Sequence, residues 1–178
     1  MKKVAIIGAG ISGLFIANLF KRNPNYQIKI YEKNSSISLE EGYGIQLSVN
    51  SIKLLNEIGF HKLENNKKFT PEKIDFYSNE NSKKICELDI SNFNSEDCKY
   101  TTLKRSSLIN FLKTDLESLV KTSCNISKID QQNKQIQLSF ENGESVECDY
   151  LIISDGVFSK SKSLISNSKV KTKYNNTI

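Results

Sequence analysis

The chain has 178 residues, of which 38% are hydrophobic and 25% are charged, and this composition suits one globular domain with its own core. Its formal net charge of +5 is spread along the chain without a basic stripe and interleaved aromatic residues, which argues against nucleic acid as a partner. Four cysteines without a C-x-x-C pair and a single histidine cannot form a zinc site, so we predict no bound metal and a reducing, cytoplasmic location.

The first twenty residues, MKKVAIIGAGISGLFIANLF, suggest either a secretory signal peptide or a strand, a glycine turn and a helix. A signal peptide has an apolar region followed by a small-residue cleavage site, whereas glycines break this run and no A-x-A site follows. The run is also shorter than the roughly 20 apolar residues that a membrane span requires. We therefore predict a buried strand over 3–7 and a helix over 11–22, whose sheet-facing residues are Leu14, Ala17, Leu19 and Phe20.

A G-x-G-x-x-G motif, made by Gly8, Gly10 and Gly13 with Ser12 inside it, lies between this strand and this helix. Gly8 permits the tight turn, Gly10 lets the backbone approach a pyrophosphate, and Gly13 lets the helix pack closely on the strand. The N–H groups of the helix N-terminus and its partial positive charge of about half a unit would face the phosphates. The spacing predicts a dinucleotide-binding turn.

An acidic residue follows the second predicted strand, NYQIKIYEK, at the distance that this motif requires. Glu32 lies 19 residues beyond Gly13, where a carboxylate can accept hydrogen bonds from both ribose hydroxyls of an adenosine. The alternative is a solvated glutamate at a strand end. A carboxylate repels a 2′-phosphate, so the site disfavours NADP and leaves NAD and FAD as ligands.

The rest of the chain mixes antiparallel strands with two helices. We predict a helix over 50–60, two antiparallel strands within 70–90, a helix over 105–121, and a hairpin around the Asn142-Gly143 turn. A buried strand over 150–153 then ends in Ser154-Asp155-Gly156. Asp155 would point into the crevice at the carboxyl ends of the parallel strands, although an Asp-Gly pair also forms simple turns.

Four segments in this order resemble a known family. They are GAGISGL with YEK, GYGIQLSVNSIKLLNEIG, TLKRSSLINFL and CDYLIISDGVFSKSK. Together they resemble the N-terminal half of the FAD-dependent aromatic hydroxylases, the single-component flavin monooxygenases similar to para-hydroxybenzoate, salicylate and ubiquinone-pathway hydroxylases. The resemblance covers the chain from Met1 to about Lys162.

The resemblance implies roles for particular residues. Glu32 would take the adenosine ribose of FAD, Arg105 would grip phosphate oxygens, and the backbone of Ile126 would contact adenine. Asp155 would meet FAD and also NADH or NADPH. The full set of expected cofactor contacts is Gly8, Gly10, Ser12, Gly13, Glu32, Lys33, Gly44, Arg105, Ile126, Asp155 and Gly156, and no catalytic residue is assigned.

The family often has arginine where this chain has Lys33 and Lys162, so the charge is kept and the planar guanidinium is lost. The implied fold is α/β, a Rossmann-like FAD/NAD(P)-binding fold of the glutathione-reductase type, C-terminally incomplete and with an inserted antiparallel β segment. We expect a dinucleotide-binding core over 1–68 and 100–163, a part of the substrate-domain sheet over 69–99, and the start of a missing substrate-domain region over 164–178.

The implied activity is that of an NAD(P)H-dependent flavin monooxygenase that hydroxylates an aromatic or similar small substrate. The chain is expected to be a fragment, a split gene product or an isolated domain, and a partner chain would complete the fold. Two alternatives stay open: half of another FAD-dependent dehydrogenase, reductase or halogenase, and a catalytically silent nucleotide-binding fragment.

Overall fold

The structure is a computed structural model and describes residues 1–37, 44–132 and 135–166. Its strands are β1 (Lys2–Ile7), β2 (Tyr26–Tyr31), β3 (Gly44–Leu47), β4 (Lys68–Phe69), β5 (Lys73–Tyr77), β6 (Lys84–Asp89), β7 (Thr101–Lys104), β8 (Val120–Lys121), β9 (Ile126–Gln132), β10 (Gln135–Phe140), β11 (Ser145–Cys148) and β12 (Tyr150–Ile153). Its helices are α1 (Ile11–Lys21), α2 (Val49–Glu57), α3 (Arg105–Lys113) and α4 (Ser161–Ser166). Within these residues, none of the helices has the length and apolar character needed to cross a membrane.

The described residues divide into two compact units. The first unit contains residues 1–37, 112–132 and 135–166, and the second unit contains residues 44–111. The division therefore falls elsewhere than the sequence-based boundaries after 68 and before 100, because 44–68 and 101–111 group with the β5–β6 hairpin. The assignment of 69–99 to a substrate-domain sheet stays a prediction, and most of 164–178 lies outside the described residues.

A four-stranded parallel sheet in the order β12-β1-β2-β8 forms the centre of the first unit. The continuous apolar run of β1 is explained by burial on both faces, since Val4 and Ile6 point away from the face to which Ala5 and Ile7 contribute. Helix α1 packs on β1 and β2 and buries Leu14 and Ala17. The predicted strand–glycine turn–helix–strand unit is confirmed.

The other face of the parallel sheet is covered by the three-stranded antiparallel sheet β11-β10-β9. The core between the two sheets contains a stacked pair of rings, Tyr31 and Phe140, whose centroids lie 4.8 Å apart. Its buried members are Ala5, Ile7, Tyr31, Cys124, Ile126, Leu138, Phe140 and Cys148. The predicted Asn142-Gly143 hairpin is confirmed, with Gly143 at φ +85° between β10 and β11.

Asp149, between β11 and β12, joins these strands to the start of β1. Its carboxylate accepts a hydrogen bond from Lys2 Nζ at 2.9 Å and one from the Lys3 backbone N–H at 2.7 Å. The Lys2 ammonium, followed by the Lys3 N–H, holds the pKa of Asp149 below its ordinary value. A carboxyl with a lowered folded-state pKa stabilises the fold above its unfolded-state pKa and loses that contribution as the pH falls through the folded-state pKa.

We therefore expect Asp149→Asn to lower the urea midpoint at pH 7 and to converge with wild type in acid. The convergence should begin below about pH 4, the ordinary pKa of an aspartate. Urea unfolding of both proteins between pH 7 and pH 3 measures the difference between their midpoints. Glu147→Gln, on the exposed side of β11, is the control. A difference in midpoint that does not change with pH would contradict the role of the charge.

The second unit contains the antiparallel sheet β3-β7-β4 and the separate hairpin β5–β6. Helix α2 buries Ile52 and Leu55 and stops before Gly59, which has φ +92°, so the predicted helix over 50–60 is confirmed but ends at Glu57. The hairpin confirms the two strands predicted within 70–90. Its register places Ile74, Phe76, Cys86 and Leu88 on one face, while ion pairs such as Lys73–Glu87 and Lys84–Asp75 lie on the other.

The predicted helix over 105–121 is wrong beyond Lys113. The chain turns through Asp115, which has φ +61°, and residues Val120–Lys121 form β8 instead. Val120 lies opposite Ile30 in the parallel sheet. Valine is β-branched, and such residues are more favourable in a strand than in a helix. The helical periodicity of 105–116 continued by chance into a segment whose last residues pair with β2.

Candidate dinucleotide-binding site

The turn after β1 is closed by two glycines that the protein itself requires. Gly8 has φ +100°, donates its N–H to the Tyr31 carbonyl at 2.8 Å, and a Cβ there would lie 2.5 Å from the Ser154 carbonyl oxygen. A Cβ at Gly13 would lie 2.0 Å from the Gly8 carbonyl oxygen. Real Cβ atoms do not approach other atoms so closely, so both glycines are needed to bring β1, β12 and α1 together.

Gly10 has no such requirement. Its φ is −80°, which any residue adopts, and a Cβ built on it meets no atom of the described residues within 4 Å. Gly10 is the N-cap of α1, and no side chain within the described part of the chain caps this helix end. The N–H groups of the first turn, among them that of the exposed Ser12, therefore have no side-chain cap, and backbone N–H groups and the helix dipole at such an end favour an anion.

Glu32 lies beside this turn, at the end of β2. It is only 9% exposed, and its Oε2 accepts the Ala9 N–H at 2.9 Å while its Oε1 accepts the Asn34 N–H at 3.0 Å. A carboxylate has about four acceptor positions, so each oxygen can still accept a hydroxyl from a ligand. Backbone hydrogen bonds from Glu32 to Lys121 and from Cys124 to Glu32 fix the strand end.

The neighbouring predicted residues occupy different environments. Lys33 is exposed, whereas Ile126 is 5% exposed and its side chain belongs to the core between the two sheets. The predicted contact of Ile126 with adenine concerns its backbone, so the buried side chain does not conflict with it. It stays a prediction.

Asp155 follows β12, next to the glycine turn. Burial opposes its ionisation, but hydrogen bonds from Ser159 and from the Ser161 N–H outweigh this effect and lower the pKa of Asp155 below its ordinary value. Its Oδ1 is buried and has no hydrogen-bond partner among the described residues. An unsatisfied buried acceptor costs about 1–3 kcal/mol, so this oxygen is suited to accept a hydrogen bond from a bound group. Gly156, with φ +84°, then turns the chain away.

Gly44 and Arg105 belong to the second unit. Gly44 begins β3 and lies opposite Lys104 at the end of β7, so the sheet register brings it to the junction at which Arg105 begins α3. The first unit thus contains nine of the eleven predicted residues, and the second unit brings the other two to one sheet end. Among the described residues, no three histidine, cysteine or acidic side chains converge to hold a metal ion.

The geometry of the first unit fits a dinucleotide. The carboxyl ends of β1, β2 and β12 bring together an uncapped helix N-terminus, a buried carboxylate beside it, and a second carboxylate with an unsatisfied oxygen. Ligands of open α/β sheets bind at this edge, where successive connections leave in opposite directions from the central strand. The sequence indicated the glycines, Glu32 and Asp155, but not the Asn34 N–H, because backbone donors have no residue-type signal.

Comparisons with known proteins agree with this geometry. Residues 6–40 match a family described as NAD(P)-binding Rossmann-like domain. The chain is 24% identical over 161 residues to 6-hydroxynicotinate 3-monooxygenase of Pseudomonas fluorescens, which covers 89% of this chain and 41% of that protein. It is 26% identical over 182 residues to the FAD-dependent monooxygenase anuJ of Penicillium roqueforti, and this match covers 90% of this chain and 21% of that protein.

The fold is also similar to that of solved structures. HpxO of Klebsiella pneumoniae, solved with FAD and uric acid, superposes with a TM-score of 0.75 at 18% identity, covering 87% of this chain and 39% of that one. The chain thus spans about two fifths of the length of the first of these relatives and of this structure. Along 89–90% of its length the chain is thus similar to part of proteins that are named monooxygenases, and it has a Rossmann-like dinucleotide-binding fold.

Proposed function

We propose that the first unit binds the adenosine diphosphate part of FAD, and that the complete protein is an NAD(P)H-dependent flavin monooxygenase. The observation that carries the first statement is the turn at Gly10, where the backbone is open to a ligand beside the buried Glu32 carboxylate. The second statement is supported by the monooxygenase names of the relatives that match along 89–90% of this chain.

Each part of the site has a definite task in this proposal. The N–H groups after Gly10 bind the phosphates, Glu32 accepts the ribose hydroxyls, and Asp155 Oδ1 accepts a further hydroxyl or N–H of the cofactor. Bound FAD supplies the redox chemistry, and the protein supplies binding, orientation and electrostatics. The resemblance implies that Arg105 and Gly44 also contact the cofactor, and this stays a prediction.

The direct test is titration of the purified chain with FAD, ADP and NADH, followed by calorimetry and, for FAD, by flavin fluorescence. We expect saturable binding of FAD and ADP with one site per chain. Binding of NADH without FAD or ADP would favour a plain NAD-binding domain. Absence of binding by a folded chain, judged by circular dichroism, would overturn the proposal.

Glu32→Gln is expected to raise the Kd for ADP by about tenfold, which corresponds to about 1.4 kcal/mol. Glutamine has one acceptor oxygen in place of two, so its amide NH₂ would oppose either the Ala9 or the Asn34 N–H and could not accept a ribose hydroxyl there. Calorimetric titration with ADP measures the change. Glu147→Gln, on the exposed side of β11, is the matched control, and equal weakening in both variants would contradict the assignment.

The finer statements concern the complete protein. We propose that it hydroxylates an aromatic or similar small substrate at the expense of NADH or NADPH, as the resemblance implies. We also propose that a polypeptide segment corresponding to the part of the relatives that this chain does not match completes the fold. We further propose that the chain is cytoplasmic, in agreement with its four free cysteines. Co-expression with such a polypeptide, followed by assay of flavin-dependent NADH oxidation with candidate aromatic substrates, tests the proposed reaction and the completing polypeptide.

A further inference from the structure

Ser154 lies in the space left by two of the motif glycines, with its backbone beside Gly8 and its side chain beside Gly13. A Cβ at Gly8 would lie 2.5 Å from the Ser154 carbonyl oxygen, and a Cβ at Gly13 would lie 2.7 Å from Ser154 Oγ. The last residue before Asp155 is therefore enclosed between the phosphate-binding turn and α1. The missing side chains of Gly8 and Gly13 provide room for this serine as well as for the turn.

The hydroxyl of Ser154 adds a hydrogen bond that a parallel ladder does not supply. The Ser154 N–H donates to the Ile7 carbonyl at 2.8 Å as part of β12–β1 pairing, and the hydroxyl donates to the same oxygen at 2.9 Å, with the Gly8 oxygen at 3.3 Å. The Gly8 N–H is bonded to Tyr31 on the opposite side. The turn is thus held from β2 through its N–H and from β12 through the hydroxyl.

We propose that Ser154 is a positioning residue that locks the end of β12 to the Gly8–Gly10 turn before any dinucleotide binds. The lock makes Asp155 and the phosphate-binding turn move as one body, so that the open Gly10 backbone and the unsatisfied Asp155 oxygen keep a fixed separation. Preorganised sites lose less conformational freedom on binding and so bind more tightly. This inference rests on the proposed function for its ligand, and on the hydrogen bonds alone for the rigidity of the turn.

The first test needs no ligand. Amide hydrogen exchange of the isotope-labelled chain, followed by NMR, reports the opening of individual hydrogen bonds. In Ser154→Ala we expect the Ala9 and Gly8 amides to exchange about tenfold faster, while the Ile28 and Ile30 amides of β2 keep their wild-type rates. Equal acceleration of all amides would show that the hydroxyl only contributes to global stability, and unchanged Ala9 and Gly8 rates would show no lock. Either result overturns the proposal.

The second test measures binding. Ser154→Ala is expected to raise the Kd for ADP by about threefold to tenfold, and Ser154→Cys, whose thiol is a weak donor of similar shape, is expected to recover part of the loss. Ser127→Ala is the matched control, because the Ser127 hydroxyl also donates to a backbone carbonyl, that of Ser139 at 3.0 Å, but on β9. A Kd in Ser154→Ala equal to that of the control would overturn the role in binding. If wild type does not bind ADP, the proposed function fails, and the exchange experiment still decides whether the lock exists.

Discussion

Gly13→Ala is expected to lower the free energy of unfolding by about 3 kcal/mol, the upper part of the range for an overpacked core. The added methyl group would lie 2.0 Å from the Gly8 carbonyl oxygen and 2.7 Å from Ser154 Oγ. The serine side chain can rotate away, but the Gly8 oxygen is backbone and is fixed by the turn. Helix α1 must therefore move away from β1, and that movement exposes apolar surface around Leu14.

Urea unfolding followed by circular dichroism measures this loss, and Gly10→Ala, three residues earlier in the chain, is the matched glycine-to-alanine control. The control position has open space and an ordinary φ, so its unfolding free energy should change by no more than about 1 kcal/mol, the usual effect of alanine at an N-cap. If both variants unfold at the same urea concentration as wild type, the close contact between α1 and the turn is contradicted.

The sequence predicts those parts of the fold in which the local residue types determine the backbone conformation. The apolar run of β1, Gly8 after it and the Asn142-Gly143 turn each select one backbone conformation, and all three are confirmed. Residues 114–121 differ because their apolar spacing continues that of α3. Val120 pairs with Ile30, about 90 residues away in the chain, and local periodicity contains no information on such pairing.

At the candidate site, too, the sequence predicts the residue types but not the contacts that they make. The motif spacing indicates that Glu32 belongs near the glycine turn, because both follow parallel strands of one sheet. It does not indicate that the Glu32 oxygens are already bonded to the Ala9 and Asn34 N–H groups, since those donors are present at every residue. It assigns Gly8 and Gly13 to the fold and Gly10 to a ligand, and the space around each glycine agrees with this division, but the motif does not give the distances that separate them.

Gly10→Ala is for this reason expected to have the largest effect on binding with the least effect on the fold. We expect the Kd for FAD and for ADP to rise about 100-fold, which corresponds to about 3 kcal/mol, while the unfolding transition stays close to that of wild type. The protein has no described atom within 4 Å of the new methyl group, so any clash must come from the ligand. The clash is expected because a pyrophosphate can reach the N–H groups after Gly10 only by lying against this backbone.

The measurement is calorimetric titration of Gly10→Ala with ADP and FAD, after its unfolding curve has been compared with that of wild type. Ala17→Gly, a change of the same size in the opposite direction on the buried side of α1, is the control that should alter stability without a specific loss of phosphate binding. Wild-type affinity in Gly10→Ala would mean that a ligand does not approach this turn closely. The open position would then be a chance feature of the N-cap, and the proposal that the first unit binds the phosphates of FAD would fail at its central residue.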